Sequence, residues 1–436
     1  MIRILLTGLL CLLAAPVAAE MKIQDISSPG GIKAWLVEEH GIPFTALEIR
    51  FRGGTSLDLQ DKRGASTLMA GLLEEGAGKL DAQGFAEARE GLAARFGFDA
   101  DDDTISVSAQ MLTANRDAAA ELLHQALVNP TFDQSAIDRV KGQIVSMIQS
   151  NQTSPEAVAS LSAARVTYGD HPYGTLNLGT EASVAALTRD DVFAAKAATM
   201  ARDQLYVAAV GDISAKELGA LLDRLFDGLP ATGAPQVGDA KLTFDGKTRV
   251  VPFQTPQSVV IFNQQGIKLN DKDYYAAALL AQVIGGDGFT ARLMDEVREK
   301  RGLTYGVSAH LVVQDHAALW QGGLASANEK TAEAIKVIRQ VWRDAADKGV
   351  TEAELSAAKT YMTGSYPLRF DGNDNIAGIL VGMQMVGLPT EYVARRNALI
   401  EAVTLDDVNR VAHALMTPDK LTFTVVGQPV GVASGD

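Results

Sequence analysis

Apolar positions along the chain follow two periods in turn, and the succession occurs twice. Residues 32–37 and 44–51 are short β-like runs early in the sequence, and residues 248–252 and 258–263 are their counterparts further on. Helical spacing follows in each half. Ile335, Ile338, Val341, Trp342 and Ala345 fall on one face of a helix that Gly349 ends, while Ala118, Leu122 and Leu123 begin a similar face that Asn129-Pro130 ends. Thr113-Ala114-Asn115 and Ser326-Ala327-Asn328 each close a β-like segment, and each Asn is expected to cap the helix that follows. Residues 186–212 read ALTRDDVFAAKAATMARDQLYVAAVGD and residues 402–428 read AVTLDDVNRVAHALMTPDKLTFTVVGQ. Aligned without gaps, roughly eleven of about 27 positions are identical, which points to internal duplication. In each copy a Thr N-cap (Thr188, Thr404) has an Asp three residues on (Asp191, Asp407), a capping box with Asp in place of Glu. A helix follows, then a β-rich run closed by Gly211 or Gly427.

Strands, then helices, then strands predict an α+β fold: two homologous α/β-sandwich domains, each a mainly antiparallel sheet backed by helices. A doubly wound parallel sheet needs regular β-α alternation, which this chain lacks. Residues 228–246, rich in Gly, Pro, Ala and Asp, read as a linker. The expected organisation is a signal peptide over residues 1–19, an N-terminal domain over 20–230, a linker over 231–247 and a C-terminal domain over 248–436.

Composition narrows the setting. At 436 residues, 47% hydrophobic and 21% charged, the chain has material for two domains with real cores. A net charge of −14 with no long basic run disfavours nucleic acid and anionic membranes, whose phosphates would repel it. The first residues carry Arg3, an apolar stretch from residue 4 to 15 and the small-residue site Val17-Ala18-Ala19, the three parts of a secretory signal too short to span a bilayer. Cys11, the only cysteine, lies inside it, and Leu10 before it argues against lipoprotein processing. The mature protein is therefore expected to be soluble, periplasmic and free of disulfides, with no membrane span.

Three stretches carry a resemblance. GGIKAWLVEEHGIPFTALEIRFRGGTSLD, HPYGTLNLGTEASVAALTRDDV and GGDGFTARLMDEVREKRGLTYGV occur in the order and spacing of the insulinase/pitrilysin (inverzincin) zinc peptidases, and the chain is similar to that family over nearly its whole mature length. In the family, a helix after the opening hairpin carries H-x-x-E-H: two His one turn apart hold zinc, and the Glu activates its water. Here that helix reads GASTLMAGLLEEGAG, and the His, Glu and His positions fall on Thr67, Ala70 and Gly71. None of these can bind zinc or move a proton. The family's third ligand is a Glu on a later helix, aligning within residues 139–150, which hold no carboxylate. No two of the six histidines lie three or four residues apart; His310 and His316 could share a strand face near Asp315, but read more simply as ordinary strand residues. Glu74 and Glu75 read as helix-end charges on a solvated face. No metal or other cofactor is expected in this chain.

The family's second half contributes an Arg and a Tyr whose hydrogen bonds meet the substrate carbonyl as it becomes an oxyanion. The resemblance assigns these to Arg298 and Tyr305, with Arg298 in the last turn of a helix, Gly302 at a left-handed exit and Tyr305 on the next strand. A guanidinium and a phenol are donors suited to that charge, and one such donor is worth about 2.7–4 kcal/mol. Read without the resemblance, Asp295 and Arg298 are an i,i+3 ion pair and the Tyr has no special role. Arg301 is a neighbouring cation at the wrong distance from Tyr305. Gly285-Gly286-Asp287-Gly288 follows a helix and lacks GK[ST], so it reads as a turn needing positive φ rather than a phosphate loop. The Gly- and Met-bearing apolar stretch 372–387 reads as helix–helix packing.

The resemblance implies the non-catalytic subunit of a periplasmic heterodimeric zinc endopeptidase. Zinc would sit in a homologous H-x-x-E-H partner, peptides would be the substrates, and this chain would supply Arg298, Tyr305 and one chamber wall. The alternative is a structural or peptide-binding homologue with no role in proteolysis, like the core subunits of respiratory complexes that share the fold. A self-sufficient metallopeptidase fails on ligand count.

Overall fold

The computed structural model describes residues 21–288 and 290–435; the expected signal peptide and Cys11 lie outside them. Two sheets organise the chain. The first comprises β1 (Gln24–Ser27), β2 (Lys33–Glu38), β3 (Phe44–Arg52), β4 (Arg95–Ala100), β5 (Thr104–Leu112) and β6 (Leu205–Gly211), in the order β1-β2-β6-β3-β5-β4. The second comprises β7 (Thr248–Pro252), β8 (Gln257–Gln265), β9 (Val307–Gln314), β10 (Ala317–Ala327) and β11 (Thr422–Gly427), in the order β9-β10-β8-β11-β7. Apart from β1, the two orders match strand for strand, and so do the senses. β6 and β11 are each parallel to one neighbour (β2, β7) and antiparallel to the other (β3, β8), and every other pair is antiparallel. The mainly antiparallel α+β reading holds.

The helices that matter are α1 (Ala65–Leu72), α2 (Arg116–Val128), α3 (Gln134–Gln152), α4 (Pro155–Tyr168), α5 (Arg189–Thr199), α6 (Ala215–Leu225), α7 (Tyr274–Gly285), α8 (Thr331–Lys348), α9 (Asn373–Met385) and α10 (Leu405–Leu415). Both capping boxes form: Thr188 and Thr404 accept from the backbone N–H of Asp191 and Asp407, whose carboxylates return the bond. The Asn caps do not form. The Asn115 side chain donates to the Leu92 carbonyl instead, and α8 starts at Thr331 while Asn328 bonds Ser258 and the Thr255 carbonyl. Both side chains find partners outside the helix they precede, so local capping loses to tertiary contacts.

Strand alternation divides each sheet into two apolar faces. On the first sheet Leu36, Leu47, Ile49, Val207 and Ala209 face α1, α2, α3, α5 and α6 in one core. The other face, with Trp35, Ala46, Ala208 and Val210, is covered by Ala377, Leu380, Val381 and Met383 of α9, a helix from the second half of the chain. The second sheet repeats the arrangement with the halves reversed. Val260, Phe262, Trp320, Phe423 and Val425 face α7, α8 and α10, while Val259 and Val426 on the other side meet Ala159 of α4, from the first half. The apolar stretch at 372–387 thus packs on a sheet, not against helices. Polar bonds pin α9 as well: the Gln384 amide donates to the Val207 carbonyl at 2.8 Å, Gln110 to Asp374, and Arg52 to the Met385 carbonyl.

Residues 231–247 contain no helix or strand but run as a packed strap. Ala240 donates to the His316 carbonyl and Thr243 to the Thr167 carbonyl, and Leu242 and Phe244 lie against Tyr168, Tyr173 and Leu319. Beside it, the β4–β5 hairpin tip Asp101-Asp102-Asp103 wedges between the halves. Gly54, at φ +35, lets the chain pass so close that a Cβ there would lie 2.1 Å from the Asp101 carbonyl oxygen. Asp103 accepts from the Tyr173 hydroxyl and, at 3.1 Å, from the Asp315 backbone N–H in the β9–β10 turn. Asp315 pairs with Arg52 at 3.1 Å. Asp102 is the least compensated of these carboxylates. Its side chain meets Thr55 at 3.4 Å, and burial, then Asp103 and Asp101, push its pKa up to about 6.

Candidate functional site

The helix that resembles the zinc helix is α1. The buried Asp58 carboxylate caps its start, accepting from the backbone N–H of Gly64 and Ser66 at 3.0 Å each and from the Ser66 hydroxyl at 2.6 Å. The scaffold is well built, but none of the three motif positions keeps a metal-binding side chain. Thr67 is half-buried and donates to the Asn177 carbonyl at 2.7 Å; Ala70 is buried. A Cβ on Gly71 would lie 3.2 Å from Cγ1 of the buried Val140 on α3. Helix α3, where the family's third ligand stands, instead brings Val140, Ile144 and the cation Arg139, which pairs with Glu75. Glu74 pairs with Arg89 at 2.5 Å, so these two carboxylates are engaged rather than merely solvated. Among the described residues no group of three His, Cys, Asp or Glu could hold a metal ion. The donor set does not fit zinc: a threonine, an alanine and a glycine face a valine and an arginine.

The second candidate lies at the start of β9. Residues Met294–Glu299 wind as a π-helix, followed by Lys300 and Arg301. Arg298 sits in its last turn, and Gly302 at φ +59 makes the left-handed exit. Tyr305 stands in the turn just before β9 and not on the strand itself, which begins at Val307. Its position is held by neighbours: the Thr304 hydroxyl donates to the Ala325 carbonyl at 2.7 Å, and Ser326 donates to the Leu303 carbonyl at 2.6 Å. Tyr305 is therefore presented on a fixed turn with 90% of its surface exposed. The Arg298 guanidinium carbon lies 5.4 Å from the centre of its ring, within cation–π range. Asp295 pairs with Lys300 at 2.6 Å, and Glu299 lies 3.6 Å from Arg298. The structure thus brings Arg298 and Tyr305 together, the guanidinium beside an exposed ring.

The remaining candidates separate. His310 lies on β9 and His316 in the turn after it, so they share no strand face. His316 sits 3.7 Å from Asp239 and near the rings of His171 and Tyr173, at the strap. The turn after α7 has Gly288 at φ +100, the positive angle expected of that cluster. What reading by residue type passes over is the charge order around Arg298: Asp295, Glu296, Lys300 and Arg301 interlock on the far side of the π turn. The four- and five-residue spacing in DEVREKR is the only trace of it in the sequence.

Two similar sandwiches, an intact motif helix stripped of its metal side chains and a conjoined Arg/Tyr pair define a zinc-peptidase scaffold of the inactive type. Residues 34–181 match the family described as Insulinase (Peptidase family M16), and residues 186–362 match the Peptidase M16 inactive domain. The chain belongs to this insulinase (M16) peptidase family. It is 25% identical over 426 residues to a Helicobacter pylori protein named non-peptidase homolog YmxG, covering 97% of this chain and 98% of that one. It is 22% identical to an uncharacterized zinc protease YmxG of Bacillus subtilis, covering 91% and 96%. The crystal structure of a peptidase M16 inactive domain from Pseudomonas fluorescens superposes with a TM-score of 0.87 at 28% identity, covering 95% of this chain and all (100%) of that one. A chain of Complex III2 from Candida albicans shares the fold alone, with a TM-score of 0.75 at 14% identity and coverage of 94% and 96%.

Proposed function

We propose that this protein is the non-catalytic subunit of a periplasmic heterodimeric zinc endopeptidase. A homologous partner with an intact H-x-x-E-H motif holds the zinc, and this chain supplies Arg298, Tyr305 and one wall of a peptide-binding chamber. The observation that carries the reading is an asymmetry between the two halves. At Thr67, Ala70 and Gly71 the metal-binding side chains are missing, with Thr67 bonded to the Asn177 carbonyl and Ala70 buried, whereas Arg298 and Tyr305 remain stacked and presented to solvent. A large aromatic that is 90% exposed on a braced turn serves no core. A guanidinium and a phenol are both hydrogen-bond donors, the kind of group a carbonyl oxygen gaining negative charge requires. The name of the Helicobacter relative and the inactive-domain match support a non-catalytic role. Among the described residues no helix is long and apolar enough to cross a membrane.

The test is reconstitution. Purified alone, the chain should bind no stoichiometric zinc and cleave no peptide; mixed with an H-x-x-E-H homologue from the same organism, it should restore cleavage. Arg298→Ala or Tyr305→Phe should then lower kcat by roughly 100-fold, the worth of one oxyanion donor, with complex formation retained. Full activity with both variants would make the pair structural and favour the reading of a scaffold outside proteolysis.

A further inference from the structure

The winding of residues Met294–Glu299 is the least expected local feature of the second half. A π turn carries one extra residue per turn, is rare, and persists where something holds it open. Here the backbone N–H of Lys300 bonds the Asp295 carbonyl at 2.9 Å, five residues back. The inner face is fixed by the buried Leu293 and Val297. The start is fixed by Arg292, which binds both Glu354 carboxylate oxygens at 2.6 and 2.8 Å and the Gly349 carbonyl. The outer face has no such packing, because it borders a cleft of about 1020 Å³ running along α8.

What closes the outer face is a set of ionic clips centred on Glu296. Its carboxylate receives Lys300 at 2.7 Å and Arg301 at 2.6 Å, and Arg301 also donates to the Glu296 backbone carbonyl at 2.7 Å. Lys300 reaches on to Asp295 at 2.6 Å. These bonds tie the residues just after the π turn to its first residues, spanning the place where the extra residue sits. If the turn relaxed to an α-helix from its anchored start, the residues beyond would shift by one position, about 100° of azimuth. Arg298 would then swing away from a Tyr305 that Thr304 and Ser326 hold still.

We propose that Glu296 is a positioning residue: through Lys300 and Arg301 it keeps the π turn open, and so keeps Arg298 against the Tyr305 ring. This deepens the proposed function, resting on Arg298 and Tyr305 as the working pair, but the geometry it asserts belongs to this chain alone. The test therefore reads the pair directly. In the full mature chain labelled with 3-fluorotyrosine, the Tyr305 fluorine resonance is identified by its loss in Tyr305→Phe, and Arg298→Ala gives its position without the overlying cation. Glu296→Ala should move the resonance at least half of the way to that position; Glu296→Gln, which keeps one acceptor, should move it less. Lys300→Met gives a second route should Glu296→Ala fold poorly, and should move the resonance in the same direction. A resonance in folded Glu296→Ala and Lys300→Met that stays at its unaltered position overturns the proposal. With the zinc partner added, a moved resonance accompanied by lowered kcat and unchanged KM supports the positioning role. A moved resonance with unaltered turnover also supports it, and overturns the oxyanion reading of Arg298 instead.

Discussion

Replacing Asp102 with asparagine should stabilise the protein at neutral pH and leave it nearly unchanged in acid. The carboxyl is wedged at the seam between the halves, with Thr55 at 3.4 Å, and burial beside Asp103 and Asp101 pushes its pKa from 3.8 up to about 6. The sign follows from proton binding. Between pH 3.8 and 6 the folded chain holds this proton and the unfolded chain has lost it, so stability falls as pH rises through that window. Above pH ~6 the penalty is fully present; below ~3.8 it is absent. Holding the ionised carboxylate in this site costs roughly 3 kcal/mol, at about 1.36 kcal/mol for each tenfold change in the proton equilibrium. The attraction of Arg63 is already contained in that balance, and an asparagine keeps an acceptor for Thr55, so a net gain of about 1–3 kcal/mol is expected at pH 7.5. Urea unfolding of parent and variant at pH 7.5 and pH 4 measures it, and the difference between the two proteins cancels the other raised carboxyls, Glu48, Asp58 and Asp315. A variant less stable than the parent at pH 7.5, or a difference equal at both pH values, would refute the reasoning, because the carboxylate would then be favourably placed.

Further outcomes follow from the packing. The triple variant Thr67→His, Ala70→Glu, Gly71→His should not acquire stoichiometric zinc by elemental analysis, because α3 offers Val140 and Arg139 in place of a carboxylate. It should also melt well below the parent, since Ala70 is 2% exposed and an uncompensated buried carboxylate costs about 3–5 kcal/mol. Leu380→Ala, on α9, the helix that the second half lends to the first sheet, should cost about 2–5 kcal/mol in denaturant unfolding, as for a fully buried leucine. Thr304→Val removes the hydroxyl that ties the Tyr305 turn to β10; amide exchange should rise at residues 303–306 with the rest of the second sheet unaltered.

What the sequence disclosed is what short-range physics decides. Thr188 with Asp191 and Thr404 with Asp407 form their capping boxes because every partner lies within one turn. The strands begin and end near the expected residues because alternation and turn residues mark them. The absence of the H-x-x-E-H side chains is read directly from the residue types at Thr67, Ala70 and Gly71. The rest depends on distant partners. Asn115 and Asn328 have good capping chemistry but spend it on Leu92 and Ser258. Apolarity at 372–387 says that a surface will be buried, not that the other half's sheet will bury it. Tyr305 reads as a strand residue, yet Thr304 bonds across to Ala325 and Gly306 and bends the chain before the ladder begins. The π turn is invisible to periodicity, since residue type favours an α-helix there and the bonds that accompany the wider winding, from Lys300 to Asp295 and from Arg301 to Glu296, span five residues.

The reciprocal loan of α4 and α9 changes what a broken backbone would mean. A protease cutting within residues 231–247 would leave two fragments, each with one face of its sheet closed by a helix of the other. They could part only if both helices undocked together, so a nicked molecule should elute as one particle and separate only in denaturant. The covalent link matters chiefly beforehand, when it holds the halves at millimolar effective concentration until the helices cross over. In the finished protein, continuity of the chain is a relic of assembly, and cleavage at the strap would be a poor way to switch the protein off.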